Sequence, residues 1–373
     1  MTRFGLIGPT YPFRGGIAHY TTLLAEHLRK DHETLLISFS RQYPGWLFPG
    51  QSERDPSQFP LKSEAEFILD PINPITWRKT VKQLRSWKPE VVIIPWWVPF
   101  WSPAWSAIGR GVKRLPEKPK LIFICHNVLP HESSIIDRAA LRLALSPADG
   151  FIVHAKQDAK RLTREFPNKS IRVSVLPSYA TLGRTHSNTQ IDIPYPRPLI
   201  LFFGFIRRYK GLDVLIDALA LVRKERQAHL LIVGEFWDNE ETYRDQIEEL
   251  DLQSSVTILN QYFPDEELAV FVNAADVVVL PYRTATQSAV IQVAYGYSKP
   301  VITTDVGGLA EVVIDGKTGL IVPPEDPEAL ANAIERYFKE ELGPTFVRNI
   351  SEEHDKFGWQ NISDCLFELT AVN

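Results

Sequence analysis

The 373-residue chain has only two cysteines, Cys125 and Cys365; they lie far apart and fit no metal-ligand spacing. Cys125 reads as part of a buried strand, and this sparse usage points to a reducing compartment. Charge of one sign is also scarce. With 41 Lys and Arg against 45 Asp and Glu, the net charge of −4 supplies no global field to hold nucleic acid, so no nucleic-acid partner is expected. Long hydrophobic runs are missing too. The longest, Val91 to Trp105, is interrupted by three prolines and falls short of the roughly 20 residues that a spanning helix needs. No apolar stretch behind a basic head follows Met1-Thr2-Arg3-Phe4, so a secretory signal is not expected and a cytoplasmic location is. The dinucleotide fingerprint GxGxxG is absent as well.

What is present is an ordinary globular composition, 44% hydrophobic and 23% charged, in a chain long enough for two domains. Short apolar runs alternate with helical patterns: Phe4–Ile7, Leu35–Phe39, Val91–Ile94, Leu121–Cys125, Phe151–Val153 and Val173–Leu176, then Leu199–Phe203, Leu230–Val233, Val256–Leu259, Val277–Leu280, Val301–Thr303 and Leu320–Val322. Runs unbroken by polar residues suit strands buried on both faces, and their alternation with helices predicts βαβ units twice over. A polar, proline-rich stretch, 186–198, reads as a linker between a first domain, 1–185, and a second, 199–350. Residues 351–373 hold a terminal helix with apolar spacing at Ile362, Leu366 and Leu369. The fold class expected is α/β, two Rossmann-like doubly wound parallel sheets facing each other across a cleft that suits two substrates.

Four strand-loop-helix junctions carry the chemistry. After the first strand come Tyr11, Arg14, Gly15 and Gly16 and then a helix; glycines and a helix start favour an anion, although such a pair is more often only a turn. In the second half, Gly204-Phe205-Ile206-Arg207-Arg208-Tyr209-Lys210-Gly211 puts three cations on one loop, suited to a diphosphate and equally readable as a solvated basic turn. The segment Thr284-Ala285-Thr286-Gln287-Ser288-Ala289 opens an apolar helix, and Gly307-Gly308 follows the next strand, offering hydroxyls, N–H groups and close backbone approach. His126 sits at a strand end in Cys125-His126-Asn127, with His131 and Glu132 beyond it, which adjacency makes poor metal or acid/base partners.

Taken in order, the segments GGIAHY, the His126 strand end, GFIRRYKGLDVLIDAL, LLIVGE, VTILNQYFPDEELAVFVNAADVVVLPY and YSKPVITTDVGGLAEVVIDGKTGLIV resemble the retaining glycosyltransferases of family 4, of GT-B fold, over essentially the whole chain. The resemblance implies a hexosyltransferase with donor binding in the second domain, acceptor binding in the first, a terminal helix that crosses back to the first domain, and no metal or other cofactor. Position by position it puts Gly15 and Gly16 at the donor phosphates, His126 at the donor sugar, and Lys210 with Arg207 on the diphosphate. It puts Gly204, Glu235, Asn260, Gln261, Tyr262 and Phe263 around the base and donor, and Tyr11, Arg14 and His131 toward the acceptor. The family's paired glutamates fall on apolar positions within Ala285–Val293, as in a sub-branch with TQSGV-type segments; Thr286, Gln287, Ser288, Ala289 and Gln292 then supply donor contacts. The family's arginine beside the loop glycine is Phe205 here, so Arg207 reaches from two positions later.

The mechanism this implies is electrostatic, with the leaving phosphate taking the acceptor's proton and no side-chain nucleophile. The expected donor is a nucleotide sugar, UDP-glucose by resemblance, and the acceptor a glycan or lipid-linked molecule of polysaccharide or glycoconjugate synthesis. Six of the nine tryptophans lie between Trp77 and Trp105, beside Arg78, Lys79, Lys82, Arg85 and Lys88. They read either as core or cleft lining or as a basic, Trp-rich surface in peripheral contact with the inner membrane face. Two other functions stay open: a catalytically silent nucleotide-sugar-binding scaffold, and a nucleotide-sugar epimerase of the same fold.

Overall fold

The computed structural model describes residues 1–45, 52–129, 134–179 and 194–371. It divides into two compact units, Met1–Asp55 with Pro60–Val175 and Gly358–Asn373, and Pro56–Phe59 with Leu176–Phe357. Among the described residues, no helix is long and apolar enough to cross a membrane.

In the first unit the strands are β1 (Arg3–Ile7), β2 (Glu33–Phe39), β3 (Glu66–Leu69), β4 (Val91–Trp96), β5 (Lys120–Cys125), β6 (Gly150–Val153) and β7 (Ser170–Val173). They form one sheet in the order β3-β2-β1-β4-β5-β6-β7, every pair parallel. Parallel neighbours need crossovers, which α1 (Gly16–Leu28), α2 (Pro74–Trp87), α3 (Ser102–Val112), α4 (Ile135–Leu145) and α5 (Lys156–Glu165) supply. The central strands are buried along their length, as continuous apolar runs require. At the two edges the apolar signal fades: β3 is half-exposed and was not anticipated, and β7 begins at Ser170, three residues before the apolar run Val173–Leu176 that had suggested it. Edge strands pair on one side only and lie at the rim of the sheet, where less of their surface is covered, so polar residues are tolerated there.

Three of the six tryptophans between Trp77 and Trp105 go to the core, and Trp77, Trp87 and Trp97 stay half-buried. Trp96, Trp101 and Trp105 are fully buried, with Trp101 and Trp105 stacked at 5.3 Å and Phe39 at 4.6 Å from Trp101. Trp96 Nε1 donates to the Val128 carbonyl at 3.1 Å, and Trp77 Nε1 to the Asp70 carbonyl at 2.9 Å.

The second unit repeats the plan with β8 (Leu199–Phe203), β9 (His229–Val233), β10 (Val256–Leu259), β11 (Val277–Leu280), β12 (Val301–Thr304) and β13 (Gly319–Val322), ordered β10-β9-β8-β11-β12-β13 and all parallel. Helices α6 (Leu212–Glu225), α7 (Glu240–Glu249), α8 (Asp265–Ala274), α9 (Ala289–Gly296), α10 (Leu309–Val312), α11 (Pro327–Lys339) and α12 (Leu342–Glu352) follow the strands. The last helix, α13 (Gln360–Ala371), packs on the first unit. It buries Ile362, Leu366 and Leu369, and Glu368 accepts from Arg172 at 2.6 Å. At Gly150 an added Cβ would meet Leu369 at 2.9 Å, so the glycine is what lets the helix approach β6.

Candidate functional site

In the second unit the sequence-predicted loops gather at the carboxyl edge of the sheet. After β8 the chain turns at Gly204, whose φ of +100° suits glycine and whose Cβ, if present, would meet Lys210 Nζ at 3.2 Å. Lys210 lies in a short 3-10 turn, Arg208–Lys210, and is 6% exposed. Burial, with the Arg207 charge nearby, depresses its ammonium from the ordinary lysine value to about 7, and among the described residues no carboxylate pairs with it. Its Nζ stands 5.6 Å from the ring centroid of Tyr282. Gly211, φ +68°, closes the turn where a Cβ would collide with the Pro281 carbonyl oxygen at 2.1 Å.

The three loop cations have different fates. Arg207 is exposed, its guanidinium 4.9 Å above the Trp237 ring, and Trp237 in turn packs 4.4 Å from Phe205. The backbone of Arg208 donates to Asp238 and its carbonyl accepts from Arg283 at 2.8 Å. Arg283 is a structural clamp: it forks onto Asp213 at 2.8 and 2.6 Å and reaches Glu325 at 3.1 Å, tying the loop after β11 to the start of α6.

Beside Lys210 runs α9. Ser288 is its N-cap residue, Ala289 its first, and the Ser288 hydroxyl does not cap it. Its first N–H groups have no partner within the helix, and they carry the positive end of its dipole. Thr286 and Ser288 are each 9% exposed, and Gln292 is fully buried with neither amide oxygen nor nitrogen bonded among the described residues. The Thr286 carbonyl accepts from Gly308 N at 2.9 Å, and Gly307, φ +54°, leaves only 1.5 Å between a hypothetical Cβ and the Ala285 oxygen. A small cavity of about 80 Å³ lies at the ends of β8, β9 and β10, lined by Gly204, Phe205, Glu235, Tyr262, Phe263 and Leu268 among others. Phe205 and Tyr262 are near-parallel across it at 6.3 Å. Gln261 is exposed at its rim, and Asn260 Oδ1 accepts from Phe236 N at 3.0 Å.

In the first unit, Gly15 is the N-cap of α1 with φ +104° and open space around it, and Gly16 begins the helix. The preceding loop is pinned by Arg14 N donating to the Glu53 carbonyl at 3.0 Å and by Asp55 N donating to the Pro12 carbonyl at 2.9 Å; Tyr11 is half-buried. His126 follows β5 directly, is 6% exposed, and meets Tyr20 of α1 edge-on at 4.5 Å. Burial, with His154 alongside, holds its imidazole neutral, well below the usual histidine range. His154, which directly follows β6, lies 5.2 Å from it and was missed in the sequence, although it carries the same strand-end signal. Its Nδ1 is 2.9 Å from the Ser174 carbonyl, so Nδ1–H donates there, and burial lowers its pKa to about 4. His131 and Glu132 lie outside the described residues.

This pair predicts a pH effect on stability. A buried base with a lowered folded pKa binds fewer protons than its unfolded counterpart below about pH 6.5, so stability is lost as pH falls toward 4. The expected loss is about 1.4 kcal/mol per pH unit for His154 alone, with His126 adding to it. Urea unfolding at pH 7.5 and 5 measures the slope, which His154→Gln should flatten.

Two Rossmann-like units, each built on one parallel sheet, are the architecture of the GT-B fold class, and solved structures share the fold. Sucrose-phosphate synthase from Thermosynechococcus elongatus matches with a TM-score of 0.71 at 22% identity, covering 99% of this chain and 98% of that one. Anabaena HepE in complex with UDP matches with 0.72 at 19%, covering 99% and 100%. The description "Glycosyltransferase Family 4" matches residues 14–179, and "Glycosyl transferases group 1" matches residues 197–340. The chain belongs to the family 4 glycosyltransferases. Among curated relatives, the D-inositol 3-phosphate glycosyltransferase of Paenarthrobacter aurescens is 29% identical over 244 residues, 64% of this chain and 58% of the relative. That of Corynebacterium urealyticum is 26% identical over 279 residues, 70% and 61%. The match thus spans about three-fifths of those relatives' length.

Proposed function

We propose that the chain is a retaining hexosyltransferase that moves glucose from UDP-glucose to a hydroxyl of a glycan or lipid-linked acceptor in polysaccharide or glycoconjugate synthesis. The observation that carries this is Lys210, a buried ammonium without a carboxylate partner among the described residues and beside the first turn of α9, an arrangement suited to a diphosphate. The donor is chosen because HepE has been solved with UDP-glucose. The cavity between Phe205 and Tyr262 takes the base, and Gln292 donates and accepts at the ribose or sugar hydroxyls in place of a carboxylate.

In the reaction, the acceptor oxygen bonds to the anomeric carbon on the face from which the carbon–phosphate oxygen bond breaks. The acceptor proton passes to a phosphate oxygen, and UDP departs with the electron pair. Lys210, Arg207 and the α9 N–H groups meet the growing charge. His126, in the first unit, is kept neutral by its burial and so offers a hydrogen bond and no charge. Protein cations take the place that a divalent ion would hold.

The test is UDP release from UDP-glucose, with and without acceptors, after treatment with EDTA. Unchanged release with EDTA is expected; its loss, restored by magnesium, refutes the metal-independent reading. A second reading, a silent scaffold, is favoured by the apolar residues at the paired-glutamate positions. It predicts a donor-induced thermal shift with no UDP released under any acceptor.

A further inference from the structure

Helix α2 is held to the first unit by few side chains: it fully buries only Thr80 and Leu84, while Trp77 and Val81 pack against the core in part. Between it and α3 lies a groove of about 620 Å³. Its floor is Pro74, Trp77, Val81, Ala107 and Gly111, and its walls are Arg78, Lys82, Arg85, Arg110 and Arg114. The helices close tightly at the floor, since a Cβ on Gly111 would stand 2.6 Å from Val81. On the other flank of α2, a second groove of about 420 Å³ adds Lys79 beside Lys82, with Phe67 at its edge. Among the described residues, no carboxylate lines either groove. Large apolar side chains stand out beside them: Phe67 is 46% exposed, Ile72 54% and Ile75 62%.

Five cations over an apolar floor, flanked by exposed aliphatic chains, have the composition of an interfacial surface rather than of a solvated face. The net charge of the chain is −4, so this concentration of positive charge is local. We infer that the α2–α3 face docks on an anionic phospholipid bilayer. The groove cations take lipid phosphates, and Phe67, Ile72 and Ile75 enter the headgroup layer. A single-stranded nucleic acid fits less well, because two of the three exposed apolar residues are isoleucines, which offer a base no ring to stack on. The inference concerns the first unit alone and does not depend on the donor reading.

The experiment is co-sedimentation of the full chain with vesicles of phosphatidylcholine, or of phosphatidylcholine mixed with phosphatidylglycerol, at low and high salt. Binding to the mixed vesicles at low salt, reversed by high salt and weak to phosphatidylcholine, is expected. The triple variant Arg78→Glu/Arg110→Glu/Arg114→Glu should lower partitioning by about 100-fold or more, and Ile72→Ser/Ile75→Ser should weaken it while leaving its salt dependence in place. If the triple variant does not fold, Arg78→Gln/Arg114→Gln carries the test with a drop of about tenfold. No binding to the mixed vesicles at low salt overturns the inference, as does equal binding by the charge variants. Tighter binding of a single-stranded RNA than of the mixed vesicles at the same salt overturns it in favour of nucleic acid. Vesicle binding without UDP release would defeat the transferase proposal and leave this one standing; the reverse result would defeat this one alone.

Discussion

Replacing Lys210 with alanine is expected to lower kcat for sugar transfer by about 10²–10³-fold, the loss seen when one preorganised stabiliser of transition-state charge is removed. The folded enzyme should survive the change. In the absence of donor, a buried ammonium pushed down to about 7 destabilises the native state, because the unfolded chain holds that proton more tightly. Stability of the wild-type chain should therefore rise with pH above about 7, and Lys210→Ala should be at least as stable as wild type at pH 7. Donor binding has the opposite sign. A diphosphate beside Lys210 raises its pKa, so donor affinity is fully present below about pH 7 and declines as pH rises above it; in Lys210→Ala this dependence should vanish. Steady-state kinetics from pH 6 to 9, with urea unfolding of both proteins, decide the matter. A variant with wild-type kcat would remove Lys210 from the chemistry.

Trp105→Ala should be the most damaging core substitution, costing about 3–5 kcal/mol, a large share of the 5–15 kcal/mol that holds a typical domain together. Trp105 is fully buried and stacked on Trp101, and its truncation opens a cavity that the surrounding rings cannot close. Among the described residues the indole N–H has no acceptor, so Trp105→Phe forfeits volume but no hydrogen bond and should cost far less. Denaturant midpoints of the two variants provide the comparison. A surface role for this tryptophan would leave both near wild type.

Much of the architecture is legible in the chain read one residue at a time. Unbroken apolar runs such as Val91–Ile94 and Val277–Leu280 announce strands buried on both faces, and the glycine, hydroxyl and cation loops follow at strand ends where parallel sheets put their function. The spacing of Ile362, Leu366 and Leu369 marks α13 as a helix with one buried face, though not what covers that face. The edge strand β3 escaped because half-exposed EFIL has no distinguishing period.

Partnership was illegible throughout. Arg207 and Arg283 are both loop arginines after strands of one sheet, yet Arg283 is locked between Asp213 and Glu325 while Arg207 rests on Trp237. Nothing local to Lys210 reveals that it is buried, or that its pKa falls to about 7. The Trp-rich stretch admitted both a core and a surface reading until folding sent Trp96, Trp101 and Trp105 inward and left the cations of α2 outside. Periodicity is a property of neighbours along the chain, so strands and helices are written there. Burial, pairing and dielectric depend on residues 30 or 70 positions away, as with Arg208 and Asp238 or Arg283 and Asp213, and they exist only once the chain has brought those residues together.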